Sequence, residues 1–574
     1  MFINFSEIQE NSWQSFERLV SRLLICEGFD EARVVGQTGD HGADVIASKD
    51  GIRWLFQVKH WRSSVGVSTI DETLKASNLY GAKVPVIVAS NGFDSAAKEH
   101  QRILQAEKVP LQLWDIPILI QRANRVAEEY PNKYLPRSYQ EIAISGIVNA
   151  HMNGTKKAMV VMATGLGKTF VAAESIRRIN KVKRIRTLVL THTNSLVYQL
   201  EKSFWRFMTQ EQKSIVWNGY ETPSDKHLND YDYIFACVNT VADYIKKNQE
   251  FPIFDIILVD ECHHAGSSMY KAIFDETLAG KSNGPFLLGL TATPWRPDDT
   301  DLSNIFGEVV VCIDMVTGLK KGFLANVDYR MYTDNINWDS LQNLNGQSFT
   351  PKQINKTLFI EQWDDSVVYE LQKTWKEQKK PRAIVFCGTI DHANIMCNKL
   401  NALGFCNAAA IFSNSGNGYS MSQYEKNKIL SDFSDGKINV VCTVDIFNEG
   451  IDVPDVNILV FQRVTHSRRI FIQQLGRGLR ISQDKEKVIV LDFVSDIRRF
   501  AAGLSLKDGV EINKDKKSIR ISLPNKVSFR KATGDDPQTE AFLRLWLEDI
   551  AEIEESGENS SVLKFPPVLP KSKQ

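Results

Sequence analysis

The residues from Ile256 to His263 read IILVDECH, and this stretch decides the fold because it joins an apolar strand to a pair of acids. Four consecutive apolar residues predict a strand that is covered on both faces, as in a parallel sheet. Asp260 and Glu261 would then lie at the carboxyl edge of that sheet, where α/β proteins bind their ligands. Similar apolar runs alternate with helical patterns along the chain, so we predict two parallel-sheet units. The other strands are predicted at residues 158–162, 187–190, 233–236 and 286–290, and at 383–386, 438–442, 458–461 and 487–491.

A glycine-bearing loop lies upstream, from Ala163 to Thr169 (ATGLGKT). It follows an apolar strand and opens a helix, so its backbone N–H groups can bind a polyphosphate. We expect Lys168 to contact the β- and γ-phosphates of ATP, and the Thr169 hydroxyl to ligate Mg²⁺. The full phosphate-loop pattern has a glycine where Met162 stands, so the match is one position short. The other loop residues expected to bind the nucleotide are Thr164, Gly165 and Gly167.

The acid pair and a downstream arginine pair supply the remaining parts of an ATPase. Asp260 can hold Mg²⁺ through water, and Glu261 can orient or deprotonate the attacking water. Arg477 and Arg480 are three residues apart, so they share one helix face and can reach a γ-phosphate in a cleft between the two units. The sequence therefore predicts ATP hydrolysis that depends on closure of that cleft.

Residues from about 136 to 495 resemble a superfamily 2 helicase or translocase of the DEAD/DEAH type, in the branch that contains type I restriction motors. The motifs stand in the family's order and end with residues 473–480 (QQLGRGLR). The resemblance implies two RecA-like lobes that close on ATP and step along nucleic acid through phosphate contacts that are blind to sequence. It assigns Gln140 and Asp452 to the nucleotide, and Thr191, Thr240 and Thr443 to the nucleic-acid strand.

A second candidate catalytic site precedes the helicase-like region, within residues 1–124. Asp44 leads into one predicted strand, and the next strand carries Gln57 and Lys59. Residues two apart in a strand face the same side, so Gln57 and Lys59 point together and can meet Asp44 across neighbouring strands. We expect Asp44 to bind a metal ion, Gln57 to complete the site as a neutral oxygen donor, and Lys59 to position the water. Glu17 on the opening helix would add a supporting carboxylate.

This region is similar to the Mrr-type restriction endonuclease domain, a branch of the PD-(D/E)xK nuclease fold. The match includes Phe16-Glu17, residues 39–44, Gln57-x-Lys59 and residues 88–93. The resemblance implies Mg²⁺-dependent cleavage of DNA. Glutamine in place of the usual acid leaves fewer anionic ligands for a metal, so a nuclease fold that only binds DNA stays open as an alternative.

Composition sets the broad class. The chain has 69 basic and 69 acidic residues, so any nucleic-acid-binding charge must be confined to a groove. Its eight cysteines include no Cys-x-x-Cys pair, which argues against a zinc ribbon and for reduced thiols. The N-terminus has no apolar signal core, and no apolar run is long enough to span a bilayer. We therefore expect a cytoplasmic protein without a membrane partner.

These patterns predict an α/β chain with an N-terminal restriction-endonuclease-like domain, two RecA-like lobes and a small C-terminal region. We also expect a hairpin at 518–529 and an amphipathic helix at 539–554. The expected boundaries are an Mrr-like domain at 1–124, a linker at 125–135, lobe 1 at 136–332, a connecting segment at 333–365, lobe 2 at 366–495, an accessory region at 496–555 and a disordered tail at 556–574.

The leading functional interpretation is an ATP-dependent DNA translocase or helicase coupled to a Mg²⁺-dependent endonuclease. A role in restriction or anti-phage defence, with an additional defence-system subunit as partner, rests on analogy alone. One alternative is a DNA repair helicase whose N-terminal domain binds DNA without cutting it. Another is a remodeller of RNA. Substituting Asp44 or Lys59 tests the first alternative, and ATPase stimulation by DNA and by RNA tests the second.

Overall fold

The structure is a computed structural model, and it describes three units of α/β organisation. The described residues are 3, 5–34, 42–126, 135–223, 225–247, 251–292, 302–313, 317–318, 321–331, 361–412, 421–444, 455–462, 478–479, 481, 485, 487–493, 510–511, 520–521 and 527–531. The predicted helix at 539–554 and the predicted disordered tail lie outside these residues.

The N-terminal unit is built on a five-stranded mixed sheet with the order β1-β2-β3-β4-β5. β2 is antiparallel to both β1 and β3, whereas β4 is parallel to both β3 and β5. The strands are β1 (Glu31–Val34), β2 (Val45–Lys49), β3 (Ile52–Lys59), β4 (Val84–Ala89) and β5 (Gln112–Asp115). The helices are α1 (Phe5–Glu10), α2 (Trp13–Cys26), α3 (Val67–Tyr80), α4 (Ser95–Ala106) and α5 (Ile116–Arg125).

Alternate residues of β3 face two different cores, as the two-residue period of a strand requires. Phe56 and Val58 share one hydrophobic core with Phe16 of α2. Leu55 points the other way and packs with Tyr80 of α3. The sheet is therefore covered by α2 on one face and by α3 on the other.

The second unit is a seven-stranded sheet with the order β12-β6-β11-β10-β7-β9-β8, and all its pairings are parallel. The predicted strands of the first lobe are confirmed, while β8 and β12 at the sheet's two edges were not predicted. The strands are β6 (Lys157–Met162), β7 (Thr187–Thr191), β8 (Ser214–Trp217), β9 (Tyr233–Cys237), β10 (Ile256–Val259), β11 (Phe286–Thr291) and β12 (Val309–Ile313). The helices are α6 (Ser138–Met152), α7 (Lys168–Val182), α8 (Asn194–Phe204), α9 (Val238–Lys247), α10 (Ser268–Thr277) and α11 (Leu302–Phe306).

The third unit is also a seven-stranded parallel sheet, with the order β15-β16-β14-β17-β18-β13-β21. Its strands are β13 (Asn326–Met331), β14 (Ala383–Phe386), β15 (Ala408–Phe412), β16 (Val440–Val444), β17 (Ile458–Phe461), β18 (Lys487–Asp492) and, after a short antiparallel pair of β19 (Val510–Glu511) and β20 (Arg520–Ile521), β21 (Val527–Lys531). The helices are α12 (Glu361–Trp375), α13 (Ile390–Ala402) and α14 (Gln423–Ser434).

Two expectations about this unit are corrected. Residues 326–331 were placed in the first lobe, but β13 pairs in parallel with β18, so it belongs to the second sheet. The predicted hairpin at 518–529 is wrong, because β20 pairs with β19 and β21 pairs in parallel with β13. The sheet of the second lobe therefore includes one strand before and one strand after the expected range of 366–495.

The N-terminal unit docks on the first lobe through a buried ionic contact of α2. Arg18 Nε donates to Glu201 Oε2 at 2.7 Å, and Arg18 Nη1 donates to Glu221 Oε1. Arg18, Glu201 and Glu221 are each no more than 5% exposed. Burial alone would lower the pKa of Arg18, but the two carboxylates raise it above its ordinary value. Ser12 Oγ adds a hydrogen bond to Glu221 Oε2 at 2.8 Å.

In the described parts of the chain, the same unit also contacts the second lobe at partly exposed positions. Arg33 Nη2 donates to Ser434 Oγ at 2.9 Å, and Arg53 Nη2 pairs with Asp435 Oδ2. Ser434 and Asp435 lie at the C-terminal end of α14. No helix in the described parts of the chain is both long and apolar enough to cross a membrane.

Candidate active sites

The phosphate loop follows β6, and α7 begins at Lys168 with a left-handed glycine as its N-cap. Gly165 and Gly167 have φ values of +91° and +84°, which side chains rarely adopt. A Cβ on Gly167 would lie 2.7 Å from Gln140 Nε2. Glycine is therefore required at 167 both by the backbone conformation and by the close approach of Gln140.

Gln140 connects the start of α6 to this loop. Its Nε2 donates to Leu166 O at 3.0 Å, and its Oε1 accepts from Arg137 N at 2.9 Å. The side chain is buried, with 9% exposure. One amide hydrogen stays available beyond these two bonds. The predicted contact with adenine stays a prediction.

The acid pair ends β10 beside the loop. Asp260 N donates to Leu190 O of β7 at 3.0 Å, and Asp260 is 7% exposed. Burial first, and then the charge of Glu261, raise the pKa of Asp260 to about 6, against the opposing charge of Lys168. Within the described residues, Asp260 Oδ1 is buried without a hydrogen-bond partner. A buried carboxylate oxygen of this kind fits a bound cation.

Lys168 and Glu261 bring the two motifs into one site. Lys168 Nζ lies 3.9 Å from Glu261 Oε1, and both side chains are largely buried. Glu261 has a φ of +49°, an uncommon backbone conformation for a residue with a side chain. Such conformations cluster at functional sites. Thr164 Oγ1 is buried there without a described hydrogen-bond partner, and Thr169 is half-buried in the first turn of α7.

His263 links the acid pair to the end of β11. Its Nδ1 lies 3.1 Å from Thr291 Oγ1 in a hydrogen bond and 3.3 Å from Glu261 Oε2. The ring of His264 stacks at 4.1 Å on that of His192, which follows β7. The two histidines therefore join three neighbouring strand ends at the catalytic edge.

The residues assigned to nucleic acid differ in accessibility. Thr191 and Thr443 are fully buried, and their hydroxyls make no hydrogen bond within the described chain. Thr240 is half-buried in the first turn of α9. In this conformation only Thr240 can be reached by a phosphate, so the strand contacts of the other two stay predictions. Asp452, Arg477 and Arg480 lie outside the described residues.

In the N-terminal unit, the structure brings Asp44 to β3. Asp44 N donates to Phe56 O at 3.0 Å, and Asp44 Oδ2 accepts from Val58 N at 2.5 Å. The register of β2 and β3 places Asp44 opposite Gln57. Asp44 is 8% exposed and Gln57 is fully buried.

Gln57 and Lys59 both point toward α3, where they meet a carboxylate that the sequence did not reveal. Gln57 Nε2 donates to Glu72 Oε2 at 2.7 Å, and Gln57 Oε1 accepts from the Thr73 hydroxyl. Lys59 Nζ lies 3.8 Å from Glu72 Oε2 and 5.4 Å from the centre of the Trp61 ring. The only available signal for Glu72 was an acid in the helix that follows the Gln57-x-Lys59 strand.

Glu17 is buried on α2, and its share in the cleavage site stays a prediction. Its neighbour Phe16 packs on the face of the sheet opposite to α3. Within the described residues, no group of three or more His, Cys, Asp or Glu side chains has metal-binding geometry. Mg²⁺ is nevertheless often held by one or two carboxylates together with substrate phosphates and water, so Asp44 and its surroundings fit such an ion.

Comparison with family models matches three parts of the chain in this order. Residues 8–123 match a model described as restriction endonuclease. Residues 133–296 match the type III restriction enzyme, res subunit, and residues 365–482 match the helicase conserved C-terminal domain.

Curated relatives share the motor region. The type I restriction enzyme EcoAI endonuclease subunit of Escherichia coli is 29% identical over 394 residues, which cover 64% of this chain and 47% of the relative. The DNA 3'-5' translocase XPB2 of Sulfurisphaera tokodaii is 24% identical over 391 residues, covering 62% of this chain and 80% of that protein. The chain spans 55% of the putative ATP-dependent helicase IRC3 of Saccharomyces cerevisiae, 62% of the putative mitochondrial ATP-dependent helicase irc3 of Schizosaccharomyces pombe and 47% of the EcoAI subunit.

One solved structure resembles nearly the whole chain. The ATP-dependent type ISP restriction-modification enzyme LlaBIII bound to DNA superposes with a TM-score of 0.53 at 16% identity, covering 95% of this chain and 42% of that one. This likeness shows a shared fold. The chain therefore joins an N-terminal restriction endonuclease domain of the Mrr_cat family to the ResIII and Helicase_C domains of a helicase.

Proposed function

We propose that the protein is an ATP-dependent DNA translocase or helicase coupled to a Mg²⁺-dependent DNA endonuclease. The observation that carries the proposal is the meeting of the phosphate loop and the acid pair at Lys168 and Glu261, in a chain that separately brings Asp44, Gln57 and Lys59 together. The combination of endonuclease and helicase families supports it.

In the motor, the left-handed glycines aim loop N–H groups and the start of α7 at a triphosphate. Lys168 neutralises phosphate charge, and Glu261 orients the attacking water. Asp260 and Thr169 would hold Mg²⁺, which supplies further charge neutralisation when bound. Hydrolysis would be completed by the arginines of the second lobe, Arg477 and Arg480.

In the N-terminal endonuclease domain, Asp44 would hold a divalent ion that activates water and neutralises the scissile phosphate when bound. Lys59 would position the water and balance the charge that develops on the phosphate. The two sites belong to different sheets, so each can be inactivated without removing the other's side chains.

DNA is the proposed substrate because the relatives and the endonuclease family are named for restriction and DNA translocation. A role in restriction or antiviral defence, with a further subunit as partner, follows the same analogy. All eight cysteines are free, which supports a reducing compartment such as the cytoplasm.

One assay tests the proposal: plasmid cleavage with Mg²⁺, with and without ATP, by the parent protein, Lys168→Ala and Asp44→Ala. We expect the parent to cut, Asp44→Ala to hydrolyse ATP without cutting, and Lys168→Ala to lose ATP hydrolysis because its phosphate contact is gone. Loss of ATP hydrolysis in a folded Asp44→Ala protein would contradict the independence of the two sites.

A DNA-binding domain that does not cut is the second candidate. It is favoured by the Gln57 amide, whose oxygen and nitrogen are both engaged by α3. DNA binding by a parent protein that leaves the plasmid intact under every condition would establish this alternative. Stimulation of ATP hydrolysis by RNA rather than DNA would instead indicate an RNA remodeller.

A further inference from the structure

Among the residues that the structure describes, Glu72 on α3 is the one carboxylate that contacts both Gln57 and Lys59. Its Oε2 lies 2.7 Å from Gln57 Nε2 and 3.8 Å from Lys59 Nζ. The side chain is 49% exposed, so solvent and ions can reach it. Within the described residues, Glu72 Oε1 makes no hydrogen bond or ion pair. Glu72 therefore has one oxygen committed to the strand and one oxygen available.

The contact with Glu72 also decides which way the Gln57 amide points. Only the NH₂ group can face a carboxylate, because two oxygens at this distance would repel each other. Gln57 Oε1 is then turned toward the Thr73 hydroxyl on the same helix. Gln57 is fully buried, and both ends of its amide are satisfied by α3. This arrangement suits a side chain that holds Glu72 better than one that binds an ion.

The turn that leads to Asp44 is packed directly against this pair. Gly42 has a φ of +87°, and a Cβ there would lie 2.7 Å from Gln57 Nε2 and 2.9 Å from Glu72 Cγ. Glycine at 42 therefore lets the backbone approach both side chains. Two residues later the chain reaches Asp44, which contacts β3 beside Gln57. The turn thus brings the Asp44 segment close to Glu72.

The net charge of these side chains determines how well the site can bind a divalent cation. Asp44 and Lys59 alone carry opposite charges that cancel, which does not favour a divalent cation. Glu72, which lies beside Gln57 and Lys59, adds a second negative charge to the site. Mg²⁺ is commonly bound by one or two carboxylates, with phosphates and water filling the other positions.

We propose that Glu72 is the second carboxylate of the cleavage centre, binding the divalent ion together with Asp44, and that Gln57 is a positioning residue that holds it. The inference rests on the proposed endonuclease function and deepens it. It gives Gln57 a role different from the direct metal ligation expected from the sequence.

The test measures Mn²⁺ binding by electron paramagnetic resonance, in full-length protein without nucleotide. Mn²⁺ that is bound by the parent but not by Asp44→Asn defines the nuclease site. We expect Glu72→Gln to weaken this site at least about tenfold, since it removes the charge but keeps an oxygen for Gln57 Nε2. Asp71→Asn is the matched control, because this neighbouring carboxylate is 60% exposed and lies near His100 instead. It should bind Mn²⁺ as the parent does.

Plasmid cleavage across a range of Mn²⁺ concentrations gives the second readout. Glu72→Gln should raise the Mn²⁺ concentration needed for half-maximal cleavage, with much of the rate recovered at saturating metal. A merely structural role would lower cleavage at every concentration without moving that midpoint, and would overturn the proposal.

The measurements distinguish a wrong role for Glu72 from a wrong endonuclease function. Unchanged Mn²⁺ affinity of Glu72→Gln at the Asp44-dependent site would refute the role of Glu72 and leave the endonuclease function standing. Absence of any Asp44-dependent Mn²⁺ site, together with an intact plasmid, would refute the endonuclease function and the role of Glu72 with it. Thermal melting of each variant confirms that it is folded.

Discussion

At the scale of single residues, the contact between Gly167 and Gln140 joins backbone geometry to nucleotide binding. Gly167 combines a left-handed φ of +84° with an approach of 2.7 Å from its would-be Cβ to Gln140 Nε2. Gln140 in turn holds the Leu166 carbonyl. A side chain at 167 would therefore strain the loop backbone and also displace Gln140.

We expect Gly167→Ala to weaken ATP binding by roughly tenfold or more, because left-handed strain alone costs about 1–2 kcal/mol and the clash displaces Gln140. Titration with a fluorescent ATP analogue measures this affinity. Gly154→Ala is the matched control, since its φ of +77° imposes similar strain but its Cβ would meet nothing within 4 Å. Equal ATP affinity of the two variants would contradict this account.

Much of each site could be predicted from residue types and their order, but the side chains that these residues contact in the fold could not. The order of Lys168, Asp260 and Glu261 along the chain was enough to expect them at one sheet edge, because parallel strands end there together. Glu72 was not predicted, because its approach to Lys59 depends on how α3 packs back on the sheet. Nor does the sequence reveal that Gly42 has a positive φ.

At the scale of elements, the buried strands were the easiest to predict. Central strands such as β10 and β14 are continuous apolar runs, the pattern of a sheet covered on both faces. Among the strands that were missed, β15 has a weaker signal, because it begins with three alanines, which favour helix. Strand order was also beyond prediction, since β13 pairs with a strand far along the chain.

Helices α6 and α7 are joined by one arginine. Arg178 donates to both oxygens of Glu141 on α6, at 2.6 and 2.8 Å, and to Glu174 within α7 at 2.9 Å. Hydrogen bonds from Arg178 lower the pKa of Glu141. Burial alone would raise the pKa of Glu174, but hydrogen bonds from Arg177 and Arg178 outweigh it and the pKa is lowered.

We expect Arg178→Ala to lower the free energy of unfolding at pH 7 by no more than about 1 kcal/mol, because the pair with Glu141 is partly exposed and screened. The melting temperature should therefore fall only modestly. Both carboxylates have folded-state pKa values below the ordinary 4.5. The stabilisation is therefore complete above pH 4.5 and is lost as the pH falls through the lowered values.

Melting curves of parent and variant from pH 7 downward check this expectation, and the difference between them should shrink below pH 4.5. Lys246→Ala serves as the control, because its pair with Asp243 is well exposed on both sides and should contribute little at any pH. A difference that grows as the solution is acidified would reverse the expected sign.

At the scale of the whole molecule, the N-terminal unit is attached unequally to the two lobes. Its contact with the first lobe includes the buried group of Arg18, Glu201 and Glu221, whereas Arg33 and Arg53 reach the second lobe at partly exposed positions. Exposed pairs contribute little and are screened by salt. Relative motion of the lobes is therefore expected to carry the nuclease with the first lobe.

We expect Arg18→Met to destabilise this docking by about 3–5 kcal/mol, because it leaves two carboxylates buried without their cation. Hydrogen exchange should show faster exchange in both α2 and α8, the helices that carry Arg18 and Glu201. Arg102→Ala, which breaks an exposed pair with Glu99 in the same unit, should leave both helices protected.

A compensating variant separates the lost charge pairing from lost packing. Adding Glu201→Gln and Glu221→Gln to Arg18→Met removes the uncompensated charges, so protection of α2 should be largely recovered. Unaltered exchange in Arg18→Met itself would show that the ionic contact does not hold the two units together.

The position of β21 has a practical consequence for producing the protein. Residues 527–531 cover the outer side of β13, which is otherwise the last strand of its sheet. Truncation at residue 495, beyond the end of the matched helicase domain at residue 482, would remove that cover and leave a row of unpaired backbone groups open to self-association. A shortened motor intended for crystallisation should therefore extend beyond Lys531 to stay soluble.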